Sequence, residues 1–447
     1  MIGMVDLQSI GEDVVRRATS EGAEEAEAFL VSGRRISVEV EKGEVKTARS
    51  EILSGVGVRS VVQGKVGFAY ATSLSDALDA AVRSVKNALA SKPDPHFKGL
   101  PDPGRVSPVE GLFDPRVAEL DVAEAVEFVG EMVSAASSKA GVVSVGGAMS
   151  ASSHEVAVVN SRGVSLSEKR TSTSLYAFVA ARDGDKSSSG FEINSGRFLR
   201  EINPSWVGSQ AGELASTLLN AVRIETGTYP MVIDPLTMGP FIGFLVSAAA
   251  NGENVMYGRS FLAGKIGQTV ASRGVTVLDD GTLAGGEGSA SFDGEGVPTR
   301  RTPIVERGVL KNYIHNTYTA GRMGVESTGN ASRSFDSLPG VGSHNVILEA
   351  PDLEASDEDL FDVRRGILLK LTEDRPNLAN GEFSGMVYMG FLIENGEVTT
   401  GVKEASFGIH LIDLLKGIDA VGREKRAVMG IISPPVRVRE VRVAGPS

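Results

Sequence analysis

Asp234–Gly252, DPLTMGPFIGFLVSAAANG, opens with one acid and then runs to its end without a charge, the longest such stretch in the chain. The run predicts a buried helix around which the second half of the protein is built. Pro240 suits a first helical turn, where a missing N–H costs nothing, and Gly252 suits a left-handed stop just past the end. Between Phe241 and Ala250 no side chain can ligate a metal, carry a charge or move a proton near neutral pH, and Ser247 is the only polar one.

Around this stretch lies a globular chain of 447 residues, 41% hydrophobic and 23% charged, enough for two or three ordinary domains. No apolar run reaches the roughly 20 residues that span a bilayer. Asp6 falls where a signal peptide would need its apolar core, so a cytoplasmic protein with no membrane partner is expected. The absence of cysteine excludes disulfides, thiolate ligands and thiol catalysis. A net charge of −12 argues against nucleic acid as a partner, because phosphate-tracking proteins carry clustered Lys and Arg.

The spacing of Leu7, Ile10, Val14, Val15 and Ala18, closed by Gly22, predicts an amphipathic helix. Alternation over Ala26–Val31, Ile36–Val40, Val56–Val62 and Val66–Tyr70 predicts strands, with turns at Gly33, Lys42-Gly43 and Gln63-Gly64. A helix over about Ser75–Ala90 follows. Five prolines between Pro93 and Pro108 rule out a continuous helix or central strand there. The order then returns: a helix over about Val122–Ser138, strands over Val142–Ser150, Glu155–Asn160, Val164–Arg182 and Ser187–Ile193, and a helix over about Ser205–Val222. The last region starts with the strand TYPMVIDP, passes through the apolar helix and becomes strand-rich, with turns at Arg307-Gly308 and Asn395-Gly396. The expected fold is α+β. Two helix–strands–helix units (1–92 and 111–226, joined by a Pro-rich linker, 93–110) precede a strand-rich domain with one buried helix (227–447).

Motifs for chemistry are mostly missing. There is no G-x-x-x-x-G-K-[ST] phosphate loop, no G-x-S-x-G elbow and no H-E-x-x-H helix. His154-Glu155 belongs to the strand-like HEVAVVN, while His315 and His344 stand without neighbouring carboxylates in sequence. The Gly-rich DDGTLAGGEGSASFDGEG lacks the strand and helix that would make it a nucleotide cradle.

Several stretches of the last region nevertheless carry a resemblance. Gly258–Gly267 (GRSFLAGKIG), Asp279–Gly281, Phe292–Val297 (FDGEGV), Gly308–Leu310, Ser327–Asn330 (STGN), Ile393–Gly396 (IENG) and Val421-Gly422 together resemble the TldD/PmbA (TldD/TldE) family, known also as modulators of DNA gyrase. Active members of that family are zinc metallopeptidases. They carry H-E-x-x-x-H on the helix upstream of the segment matching Gly258–Gly267, and a cysteine near the C-terminus completes the metal site.

The resemblance puts the two histidines at Gly243 and Ala248, or at Leu245 and Ala250 if aligned on Pro240, and the glutamate on Phe244 or Val246. None offers a donor, whereas a zinc site needs about three protein ligands and a base within reach of bound water. The resemblance thus implies the PmbA/TldE branch: a pseudoenzyme without cofactor or catalytic residues, supporting a TldD-like zinc metallopeptidase partner that degrades or processes unfolded peptides. It implies a residual cleft lined by Asn251, Glu253, Asn330 and Arg333, and a homodimer in isolation formed through the C-terminal region. Two other readings remain open: an independent hydrolase using Glu253, Asp293, Glu295, His315 or His344, and a regulatory binding protein linked to DNA gyrase.

Overall fold

The computed structural model describes residues 6–445. Helix α1 (Leu7–Ser20) starts at Asp6, whose side chain accepts from the Ser9 N–H, and buries Leu7, Val14, Val15 and Ala18. Then come β1 (Glu25–Glu41), β2 (Glu44–Val62), β3 (Lys65–Ala71), α2 (Ala77–Ala90), α3 (Pro115–Glu119), α4 (Val122–Ser137), β4 (Val142–Asn160), β5 (Ser165–Asp183), β6 (Lys186–Gly196) and α5 (Pro204–Leu218). Both helix–strands–helix units feed one antiparallel sheet, ordered β3-β2-β1-β4-β5-β6 and joined through β1–β4.

The expected turn at Gly33 and the expected break between Ser150 and Glu155 are absent, because β1 and β4 run straight through them. Gly33 faces His154 across the two strands, where an added Cβ would stand 2.3 Å from the Ser153 carbonyl oxygen. The glycine serves a close strand approach rather than a reversal.

Alternation assigns the two faces of this sheet. Ala26, Ala28 and Leu30 pack with α1 and α2, while Ile36, Val38 and Val40 pack with α4 and α5, so all four helices cover one face. The opposite face presents Phe29, Val156 and Val158 to Phe292 of the C-terminal region. The Pro-rich segment straps the edge of this contact: the Leu100 N–H donates to Glu25 Oε2 at 2.7 Å, and the Val109 N–H to Ser291 Oγ at 3.0 Å.

In the C-terminal region, β7 (Gly227–Ile233) leads into α6 (Pro235–Phe244). This helix lies between a large mixed sheet and a smaller one. Met238, Phe241, Ile242, Leu245 and Val246 share one core with Met231, Ile367 and Val436 of the first sheet and with Val277, Val346 and Leu348 of the second. The run is apolar all round because it is covered all round. Its ends differ from expectation. Asp234 caps the helix by accepting from the Leu236 N–H, Pro235 takes the first turn, and Pro240 sits in the interior. Gly252 is not a left-handed stop but the first residue of α7 (Gly252–Met256), capped by Asn251. An added Cβ on Gly252 would meet His315 Nδ1 at 2.3 Å, so packing against that ring requires the glycine.

Candidate functional site

Past α6 the chain widens into one π-type turn over Leu245–Ala249, closed by a hydrogen bond from Ala250 N to Leu245 O at 2.7 Å. Such turns often mark functional sites, and here residues five apart are brought onto one face. The side chains on this frame are inert. Leu245 and Ala250 are fully buried in the core, and Gly243 lies under Ile431, whose Cδ1 is 2.6 Å from where a Cβ would stand. Ala248 is half-buried, and exposed Ser247 meets Ser343, Oγ to Oγ, at 2.7 Å. Among the described residues no three His, Cys, Asp or Glu side chains gather as metal ligands. With a glycine, a leucine and two alanines at the four positions and no cysteine in the chain, the donor set does not fit zinc.

The densest polar chemistry lies where the N-terminal sheet meets the C-terminal region. Glu27 on β1 faces Arg59 on β2, and their side chains bond at 2.9 Å. The same Arg59 Nη2 reaches Glu295 Oε1 at 2.9 Å, while Arg333 Nη1 reaches the other Glu27 oxygen at 2.5 Å. Burial opposes the Arg59 charge, but Glu27 and Glu295 outweigh it and hold the guanidinium above its usual range. Arg333 moves the other way, lowered chiefly by burial, and lies 5.0 Å from the Phe29 ring centre. Its Nε and Nη2 have no hydrogen-bond partner among the described residues.

Beside this cluster is a cavity of about 160 Å³ lined by Phe29, Arg170, Asp293, Arg333, Ser343 and His344. Asp293 accepts three backbone N–H groups, from Glu295, Val297 and Ala331. Burial, with the Glu295 charge next, still pushes its carboxyl up to about 7. His344 directs Nε2 to the Gly329 carbonyl at 2.7 Å and Nδ1 to the Gly288 carbonyl at 3.2 Å.

The four residues expected in a residual cleft do not share one. Arg333 lines the cavity just described. Glu253 lines another, of about 260 Å³, with Arg59, Tyr257, Asn316 and Tyr318. Asn251 is occupied in capping α7 and in donating to the Ser247 and Val341 carbonyls. Asn330 is fully buried and donates to Asp279 Oδ2 at 2.6 Å and to the Gly342 carbonyl at 2.9 Å. The residues weighed for an independent hydrolase are likewise divided. Asp293 and His344 share the first cavity, Glu295 is tied to Arg59 and the Thr317 N–H, and His315 packs on Gly252 with Nδ1 3.1 Å from Thr319 Oγ1. Burial drives His315 down to about 4, and burial with Arg170, Arg197 and Arg35 does the same to His154.

Glu27, Arg59 and Arg170 escaped the sequence reading. Their signal was the alternation itself: Glu27 lies between Ala26 and Ala28, and Arg59 between Val58 and Ser60, so each faces away from the helices. What waits on that face is set by residues more than 100 positions later.

Known proteins place this architecture. Residues 226–445 match the PmbA/TldA metallopeptidase C-terminal domain, 115–219 the central domain and 26–91 domain 1 of the same group. A metalloprotease of Methanothermobacter thermautotrophicus is 30% identical over 93% of this chain and 94% of its own. Metalloprotease PmbA of Escherichia coli O157:H7 is 27% identical over 100% of this chain and 98% of its own. Among solved structures, TldE from Thermococcus kodakarensis superposes with a TM-score of 0.89 at 25% identity, covering 98% of this chain and 100% of that one. A proposed modulator of a DNA gyrase from Thermotoga maritima gives the same TM-score, identity and coverage. With a fold, three domains and a full-length relative in agreement, the chain belongs to the PmbA/TldD metallopeptidase family.

Proposed function

We propose that this chain is a non-catalytic, PmbA/TldE-like subunit that supports a zinc-bearing TldD-like partner in degrading or processing peptides in the cytoplasm. The observation that carries the reading is a donor-free helix where the family's metal motif falls: Gly243, Leu245, Ala248 and Ala250, in and around the π-type turn, carry no nitrogen, oxygen or sulfur side-chain atom. Zinc and its water-activating chemistry belong in this reading to the partner, and this chain contributes shape and surface. Exposed Tyr257, Ile266, Met323 and Val325 supply apolar contact area in the C-terminal region for such a partner. No described helix is long and apolar enough to cross a membrane.

An independent hydrolase gains little from Asp293, since its carboxylate already holds three backbone N–H groups. A gyrase-directed role draws only on the Thermotoga protein's description.

Metal analysis and a peptidase assay test the proposal. The purified chain is expected to hold no stoichiometric zinc and to leave unstructured peptides uncut, alone, while binding the zinc-bearing paralogue. One tightly held metal per chain with chelator-sensitive cleavage overturns it.

A further inference from the structure

We propose that β2 carries a self-recognition edge through which a second copy of this chain extends the N-terminal sheet. β3 pairs with β2 only over Val56–Val62. From Glu44 to Gly55, β2 is paired with β1 on one side and, among the described residues, with no strand on the other. A register irregularity beside Lys46 bounds this free stretch at one end, and β3 bounds it at the other. Between them Thr47–Leu53 offers a regular segment, and Ile52 is 77% exposed on it.

The occupant follows from symmetry and charge. Two copies of one edge pair antiparallel about a twofold axis perpendicular to the sheet, which keeps every side chain on its own face. Directly opposed residues therefore lie an even number apart, and the pairing is centred on a residue. Centred on Ser50, Arg49 faces Glu51 of the second copy twice over, Ala48 faces Ile52, and Thr47 faces Leu53. Both charged pairs are favourable and the most exposed apolar side chain gains cover. Centring on Arg49 or Glu51 sets like charges against each other, and centring on Ala48 sets Val45 against Glu51. Charged residues on an open edge ordinarily repel unwanted strands. Here the two signs are placed to admit one partner. This edge lies in the N-terminal sheet, apart from the C-terminal region in which the sequence suggested a self-contact.

Charge exchange tests the pairing. Within one chain Arg49 and Glu51 are 3.5 Å apart and about half exposed, so substituting either leaves the fold intact. Sedimentation of the full chain is expected to show a dimer. Arg49→Glu alone and Glu51→Arg alone each raise its dissociation constant about tenfold or more. The double exchange R49E/E51R restores it, with unchanged circular dichroism throughout. A monomeric wild-type chain, or a dimer indifferent to both single substitutions, overturns the inference. Neither result bears on zinc content or on binding of the catalytic paralogue, so the proposed function stands or falls separately.

Discussion

Arg59 and Glu295, 236 positions apart in sequence, meet at 2.9 Å with side chains 4% and 1% exposed. The contact ties β2 to a loop of the C-terminal region, and Glu27 brings Arg333 into the same network. Two guanidinium groups and two carboxylates offset one another in a site closed to water, so removing one member leaves a buried charge without its partner. Arg59→Leu is expected to lower unfolding free energy by about 3–5 kcal/mol, measured by denaturant titration. Arg307, whose bond to Asp352 is largely exposed, provides the contrast: Arg307→Leu changes stability by less than about 1 kcal/mol.

Acid stability draws on buried groups with opposite signs. His154 and His315, each held near 4, bind fewer protons folded than unfolded below the ordinary histidine range. Their contribution is present above pH 6.5 and is lost as pH falls toward 4, on the order of 3 kcal/mol each at most. Asp293, raised to about 7, binds more protons folded than unfolded, so its contribution is full below about 4 and is lost as pH rises to 7. Asp279 and Glu287, also raised by burial, act in the same sense as Asp293, so the deciding quantity is what each substitution does to the slope between pH 4 and pH 6.5. Asp293→Asn removes a falling contribution and makes the slope of stability against pH more positive, while His315→Gln removes a rising one and makes it less positive. Thermal midpoints across that range measure both changes.

Much of the fold was legible because local signals agreed with tertiary demands. The hairpin turns at Lys42-Gly43, Gln63-Gly64, Arg307-Gly308 and Asn395-Gly396 all adopt positive φ, with the glycine in each as the signal. Gly33 misled because a glycine in a strand and a glycine in a turn look alike until the opposite strand is known. Pro240 misled because Pro235 and Asp234 already supplied the helix start, leaving the second proline to be carried by packing. The apolar character of 241–250, with Ser247 as its one polar side chain, could be read directly, since composition needs no geometry. Arg333 could be named but not interpreted, because Glu27, its partner, precedes it by 306 residues.

The loop that carries Arg333 is held by a slot in β2. Phe335 packs its ring against Gly55, and its carbonyl oxygen lies 2.2 Å from where a Cβ on Gly57 would stand. Backbone cannot yield as a side-chain tip does, so Gly57→Ala is expected to lift the loop and cost about 1–3 kcal/mol. Protease nicking between Ser334 and Leu338, followed by mass spectrometry, is expected to rise in that variant and to stay low in Gly130→Ala, a helical position where an added Cβ meets nothing within 4 Å.

Asn330 distinguishes a scaffold residue from a cleft residue. Its amide donates to Asp279 and to the Gly342 carbonyl, and its oxygen accepts from Thr328 Oγ1 at 2.6 Å. Burial raises the Asp279 carboxyl, while the Asn330 amide and the His344 N–H act the other way. Asn330→Ala therefore strips a buried carboxylate and the Gly342 carbonyl of a donor, while the Thr328 hydroxyl keeps its bonds to the His315 backbone, an expected loss of about 2–4 kcal/mol. Asn330→Asp sets a second carboxylate against Asp279 at 2.6 Å spacing and is expected to cost at least as much at pH 7 and less at pH 5, as one of the pair takes up a proton. Denaturant titrations of both variants at the two pH values measure this order. A peptide-contacting role would instead leave stability unchanged and lower the activity of the assembled pair.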